Sequence, residues 1–108
     1  MVNSRAKGKA AELEVAHILQ SYGYDTRRGC QFKGGPDSPD VIGVPGLHIE
    51  VKRVERLDLD AAMDQSIRDA GEGELPIVVH RRSRKLWKVT MLLDDFMKVW
   101  NEGGPKCK

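Results

Sequence analysis

The sequence predicts an α/β fold in which helices cover a small mixed sheet. Three observations carry that expectation. Apolar residues up to Tyr22 recur at helical spacing, residues 39–52 read as two short apolar runs joined by a Pro-Gly turn, and residues 76–80 form a β-branched run. The resulting order is helix, three strands, helix, one or two strands and a closing helix. Such an order suits helices layered on a mixed sheet.

Asn3 or Ser4 can cap a first helix running to about Tyr22, where Gly23 ends it. Its apolar row is Ala11, Val15, Ile18, Leu19 and Tyr22, and Glu12 and Glu14 flank that row on opposite sides. Periodicity alone does not choose between the two acids. Tyr24–Arg28 is a candidate first strand, and residues 29–39, rich in Gly, Pro, Asp and Ser, read as a loop leading into Asp40. Asp58 or Asp60 caps a second helix that Gly71 ends, with Met63, Ile67 and Ala70 as its buried row, Leu59 just before it, and Gln65 off that row. Pro76–His80 is a buried strand, and Ser83-Arg84 turns into a partner strand from Leu86 to Met91. A last helix over about Leu93–Asn101 is expected to pack Leu93, Phe96, Met97 and Trp100 before Gly103-Gly104-Pro105 stops it. One domain over residues 1–102 with a tail at 103–108 follows.

The hairpin at residues 39–52 is interrupted by three charges, Asp40, Glu50 and Lys52. Side chains alternate along a strand, so Glu50 and Lys52 share a face while Ile49 and Val51 take the other. Pairing Ile42 with Glu50 would set Asp40 opposite Lys52 and bring all three together. A slip of one residue would send Asp40 to the far face. Charged groups at the edge of a core are costly unless they pair or hold a cation. Oxygen ligands of this kind suit magnesium, which takes one or two carboxylates plus water and phosphate.

Composition narrows the class. At 108 residues, 40% hydrophobic and 31% charged, the chain is expected to be one globular, soluble domain. No apolar run approaches the roughly 18 residues of a membrane span, and the N-terminus lacks the apolar core of a secretory signal. Cys30 and Cys107 form neither a disulfide framework nor a zinc set, which points to a reducing compartment. Net charge is only +2, but Arg27, Arg28 and Lys33 cluster, as do Arg81, Arg82, Arg84, Lys85 and Lys88. Basic clusters of this kind are either a phosphate footprint or solvated turns. His17, His48 and His80 share no spacing; His48 alternates with Glu50, and a satisfied imidazole at the core edge is the simpler reading. Trp87 and Trp100 read as core or interface residues.

Element order and charged hairpin together resemble the PD-(D/E)XK nuclease superfamily, with its restriction-endonuclease-like α-β-β-β-α-β core. The matching residues are Asp40 and the run Glu50-Val51-Lys52. Within that superfamily the chain is similar to archaeal Holliday-junction resolvases and phage resolvase-like endonucleases, through Lys7-Gly8-Lys9-Ala10-Ala11-Glu12. The resemblance selects Glu12 over Glu14. Asp37 also follows a proline and competes for the family's Pro-Asp position; Asp40 is favoured because it directly precedes a strand.

What the resemblance implies is a magnesium-dependent DNA endonuclease, with manganese as a substitute. Asp40 and Glu50, the Val51 carbonyl and Glu12 would hold the metal, Lys52 would stand beside the attacking water, and Gln65 would orient the site. Arg27, Arg28, Lys33, Arg53, Arg81, Arg82, Arg84 and Lys85 would meet DNA. A homodimer acting on branched or duplex DNA, a cytoplasmic location and a phage origin are expected on the same ground. Flaps, nicks or ends are the alternative substrates, and a non-catalytic DNA-binding module on the same scaffold is the alternative class.

Overall fold

The computed structural model describes residues 4–29 and 39–103. The elements are α1 (Ser4–Gln20), β1 (Arg27–Arg28), β2 (Val41–Ile42), β3 (Leu47–Arg53), α2 (Leu59–Asp69), β4 (Leu75–Arg81), β5 (Lys88–Met91) and α3 (Leu93–Gly103). They form one mixed five-stranded sheet in the order β1-β2-β3-β4-β5 with three helices, the predicted α/β class. Only β3 and β4 run parallel; every other neighbouring pair is antiparallel. A parallel pair needs a long crossover, and α2 supplies it.

Each face of β3 and β4 meets a different helix. Ala11, Val15 and Ala16 of α1 pack on Val41, Ile49, Val51, Ile77 and Val79. On the other side Ala62 and Met63 of α2 pack on Val78, with Leu57 and Leu59 at the margin. Burying one such aliphatic side chain contributes about 1.5–3 kcal/mol, so the α1 layer is the larger source of stability.

The first helix ends as its glycine predicts. The Gly23 N–H donates to the Gln20 carbonyl at 2.9 Å and the Tyr24 N–H to that of Leu19 at 3.4 Å, while Gly23 adopts φ +98°. This is a Schellman closure, which favours glycine at the left-handed position. The buried stripe is rotated from the expected one: Ala16 lies inside, whereas Ile18 is exposed and Tyr22 is 76% exposed. A similar rotation affects α2. Its N-cap is Asp58, whose carboxylate accepts the Ala61 N–H at 3.0 Å, but Ile67 is 42% exposed and Ser66 is buried in its stead. Ser66 tolerates that place because its hydroxyl donates to the Ile77 carbonyl at 3.0 Å.

The hairpin register differs from the expected one. Val41 pairs with Ile49, where the expected register paired Ile42 with Glu50. The Leu47 N–H closes a turn on the Val44 carbonyl at 3.2 Å, with Gly46 at φ +85° after Pro45, the arrangement of a type II turn. Between that turn and the Val41–Ile49 pair, the first arm holds one residue more than the second. Gly43, at φ +116°, absorbs it as a bulge, and a Cβ there would lie 2.3 Å from the Asp25 carbonyl oxygen. The shift amounts to two residues. Asp40 is nevertheless brought against β3, where its Oδ2 accepts the Val51 N–H at 2.8 Å and it lines a cavity with Lys52.

Strands β1 and β5 are shorter than expected, and Leu86, outside β5, is exposed. The turn before β5 puts Arg84 at φ 64°. The largest departure is α3. Leu93, Phe96, Met97 and Trp100 were expected to pack on the core, yet all four are exposed and no residue of α3 is buried. Phe96 and Trp100, one helical turn apart, stack on each other at 5.9 Å between centroids. Their periodicity says that a face of the helix is apolar; it does not say what covers that face.

Candidate active site

The central strand β3 builds the site by alternation. Ile49 and Val51 enter the α1 core, which turns His48, Glu50 and Lys52 to the opposite face. Asp40 arrives from the neighbouring strand and is held by its own backbone. Its N–H donates to the Ile49 carbonyl and its carbonyl accepts the Gly29 N–H, both at 2.9 Å. Its Oδ2 accepts the Val51 N–H at 2.8 Å. Gly29 is required for this approach, since a Cβ at that position would come 2.0 Å from the Pro39 carbonyl oxygen.

Glu50 is 2% exposed. Its Oε2 lies 2.9 Å from His48 Nε2, and its Oε1 accepts the Gln65 amide at 3.3 Å. Burial pushes its pKa up to about 8, with repulsion from Asp40 adding to the rise and Lys52 opposing it. Two facing carboxylates, one of them desolvated, are a pair that a cation would relieve.

Asp40, Val51 and Lys52 line a cavity of about 490 Å³ with Lys7, Gly8, Glu12, Arg53 and Val54. Glu12 enters it from α1. Its Oε1 accepts the Arg28 Nε–H at 2.9 Å, while burial raises its pKa against that bond. Glu14, the other candidate acid on α1, belongs to a different cluster. It accepts the Trp87 indole N–H at 2.8 Å and the Arg81 guanidinium at 3.2 Å, and the Arg81 guanidinium lies over the Trp87 ring at 5.1 Å.

Among the described residues no three His, Cys, Asp or Glu side chains are grouped so as to hold a metal ion. Magnesium does not need such a cage, because one or two carboxylates with water and substrate phosphate suffice. The hard oxygen donors of Asp40 and Glu50, with the Val51 backbone alongside, fit that requirement, and Glu12, whose Oε1 accepts from Arg28, lines the same cavity as Asp40.

The basic residues singled out in the sequence are scattered. Arg27 is exposed and 3.8 Å from Asp25. Arg28 is committed to Glu12 and Arg81 to Glu14. Arg53 lines the cavity, and its buried Nε has no hydrogen-bond partner. Arg82, Arg84 and Lys85 are exposed at the β4–β5 turn, whereas Lys33, Asp37, Cys30 and Cys107 lie outside the described residues. The residue undervalued by sequence reasoning is His48, whose alternation with Glu50 was the available signal.

The α-β-β-β-α-β core, with Asp40 entering the second strand and Glu50-Val51-Lys52 on the third, is the fold of the PD-(D/E)XK-type resolvases. A solved structure with this fold is that of Hjc from Archaeoglobus fulgidus, a Holliday junction resolvase from an archaeal hyperthermophile. It shares 26% identity with the chain at a TM-score of 0.60, covering 79% of this chain and 72% of that one. No family model matches the chain, and no curated protein matches it. Among the described residues no helix is long and apolar enough to cross a membrane.

Proposed function

We propose that the chain is a divalent-metal-dependent endonuclease that hydrolyses DNA phosphodiester bonds, with four-way junctions as its substrate. The observation that carries this reading is the juxtaposition of Asp40 and Glu50 on neighbouring strands, with Lys52 next on the same face. The fold shared with a junction resolvase supports the choice of substrate.

Asp40 and Glu50 would hold magnesium or manganese, with the Val51 carbonyl as a further ligand. Such an ion polarises the phosphate and lowers the pKa of bound water. Lys52, on the cavity wall, would place its ammonium beside the attacking water and offset the negative charge that grows at phosphorus. Glu12, anchored by Arg28, would orient water at the cavity's far wall. Gln65 would keep Glu50 from turning away. Arg53, Arg82, Arg84 and Lys85 would meet phosphates, an interaction that weakens with salt.

Resolution of a junction needs two cuts, hence two sites. The uncovered apolar face of α3 supports a homodimer, a second copy of this chain being its occupant. It adjoins an apolar groove of about 500 Å³ lined in part by Ile18, Leu19, Trp87, Val89 and Val99, so helix and groove form a continuous surface.

The test is cleavage of an end-labelled four-way junction, its matching duplex and a flap, with magnesium, manganese or chelator. Paired nicks near the crossover, dependent on metal and absent from the duplex, are expected. Cleavage of all three substrates would keep the nuclease and discard the junction preference. Tight binding without cleavage in either metal would replace the enzyme by a binding module.

A further inference from the structure

We infer that His48 is a positioning residue that aims the Glu50 carboxylate at the metal, an inference that rests on the nuclease reading above. A histidine buried for packing alone would bond to backbone or to a neutral side chain. His48 instead directs Nε2 to Glu50 Oε2 at 2.9 Å, and both side chains are almost wholly excluded from solvent. Its Nδ1 makes no hydrogen bond, the nearest acidic oxygen being Glu74 Oε1 at 3.6 Å. The single hydrogen bond of this imidazole is therefore the one to Glu50.

The backbone fixes the donor as firmly as the acceptor. His48 and Glu50 lie two residues apart on the central strand, and His48 is paired with Pro76 across the parallel ladder. A carboxylate offers about four lone-pair sites. In the ionised form that would hold a cation, Glu50 accepts on Oε2 from His48 Nε2 in its N–H tautomer and on Oε1 from the Gln65 amide, leaving a lone pair on each oxygen. The two donors differ in reach: the histidine bond is short and the glutamine bond, at 3.3 Å, is long. Removing His48 leaves Glu50 held only by the longer Gln65 bond, and partners of this kind set metal affinity by about 10–100-fold.

The experiment compares wild type with His48→Asn, whose amide stops short of Glu50, and His48→Gln, whose amide reaches it. Manganese binding to the DNA-free protein is measured by calorimetry, alongside the metal concentration giving half-maximal junction cleavage and the melting curve of each variant. His48→Asn is expected to weaken manganese binding about 10–100-fold, to raise the half-maximal metal concentration in parallel, and to leave junction affinity in chelator unchanged. His48→Gln is expected to stay within a few-fold of wild type while melting at the temperature of His48→Asn. Equal metal dependence in the two variants, or in His48→Asn and wild type, would overturn the positioning role. A wild type that neither binds manganese nor cleaves would overturn the nuclease reading itself, and this inference with it.

Discussion

The Asp40 carboxylate accepts the N–H of Val51, the residue that follows Glu50 on β3, at 2.8 Å. One acid is thereby tied to the strand that carries the other, so their separation is set by backbone rather than by flexible side chains.

Replacing either acid by its amide should abolish cleavage, by roughly a thousandfold or more, with junction binding retained. Lys52→Met should cost roughly a hundredfold or more in maximal rate with little change in half-saturating metal. In the metal-free protein the Glu50 carboxyl, its pKa raised to about 8, must take up a proton on folding at neutral pH, a cost that the neutral amide of Glu50→Gln does not carry. The melting temperature of that variant is therefore expected to rise by a few degrees, as differential scanning fluorimetry in chelator would read. A fall would contradict the electrostatic strain assigned to the pair.

Glu14 gives the fold an acid-sensitive tie. The Trp87 indole N–H, and after it the Arg81 guanidinium, hold its pKa below the usual carboxylate range. A lowered folded pKa means stability that is present above the ordinary carboxylate pKa and lost as pH falls through the lower folded value. Glu14→Ala should accordingly melt a few degrees below wild type at neutral pH, with the gap closing as pH falls below the ordinary carboxylate range. Parallel melting curves across that range would remove Glu14 as a stabilising contact.

Gly29→Ala should damage the site from a distance. The new methyl would drive into the Pro39 carbonyl and displace the residue next to Asp40. A loss of about 2–3 kcal/mol in urea unfolding is expected, with cleavage falling further than the lost folded fraction explains. Unchanged stability would mean that the backbone yields there at little cost.

Trp100→Glu puts a charge on the uncovered face of α3. Weakening of self-association by roughly thirtyfold or more is expected in analytical ultracentrifugation, together with single nicks in place of paired cuts. A variant that sediments as wild type would place the contact elsewhere.

The shared face of Glu50 and Lys52 was legible because strand alternation is rigid: it followed once β3 was recognised. The pairing around Asp40 was less legible: an odd-length hairpin loop implies a bulge, but its place at Gly43, which moved the register by two residues, is set by the backbone. Helical stripes were less certain than strands. Ile67 looked like core and Ser66 did not, yet a hydroxyl that can return its hydrogen bond to the Ile77 carbonyl packs as well as an aliphatic group. The partners of the basic residues were illegible, because Glu12–Arg28 and Glu14–Arg81 join positions distant in sequence. His48 was visible on the right face, but its bond to Glu50 depends on ring orientation.

From His48 to Lys52 strand β3 is read twice, Ile49 and Val51 by hydrophobic packing and His48, Glu50 and Lys52 by chemistry. A substitution therefore touches one reading at a time. A single inserted or deleted residue between His48 and Lys52 exchanges them, driving carboxylate and ammonium into the layer under α1 and presenting aliphatic groups to the cavity. This strand can drift in sequence, but its length cannot change by one without losing stability and catalysis in the same event.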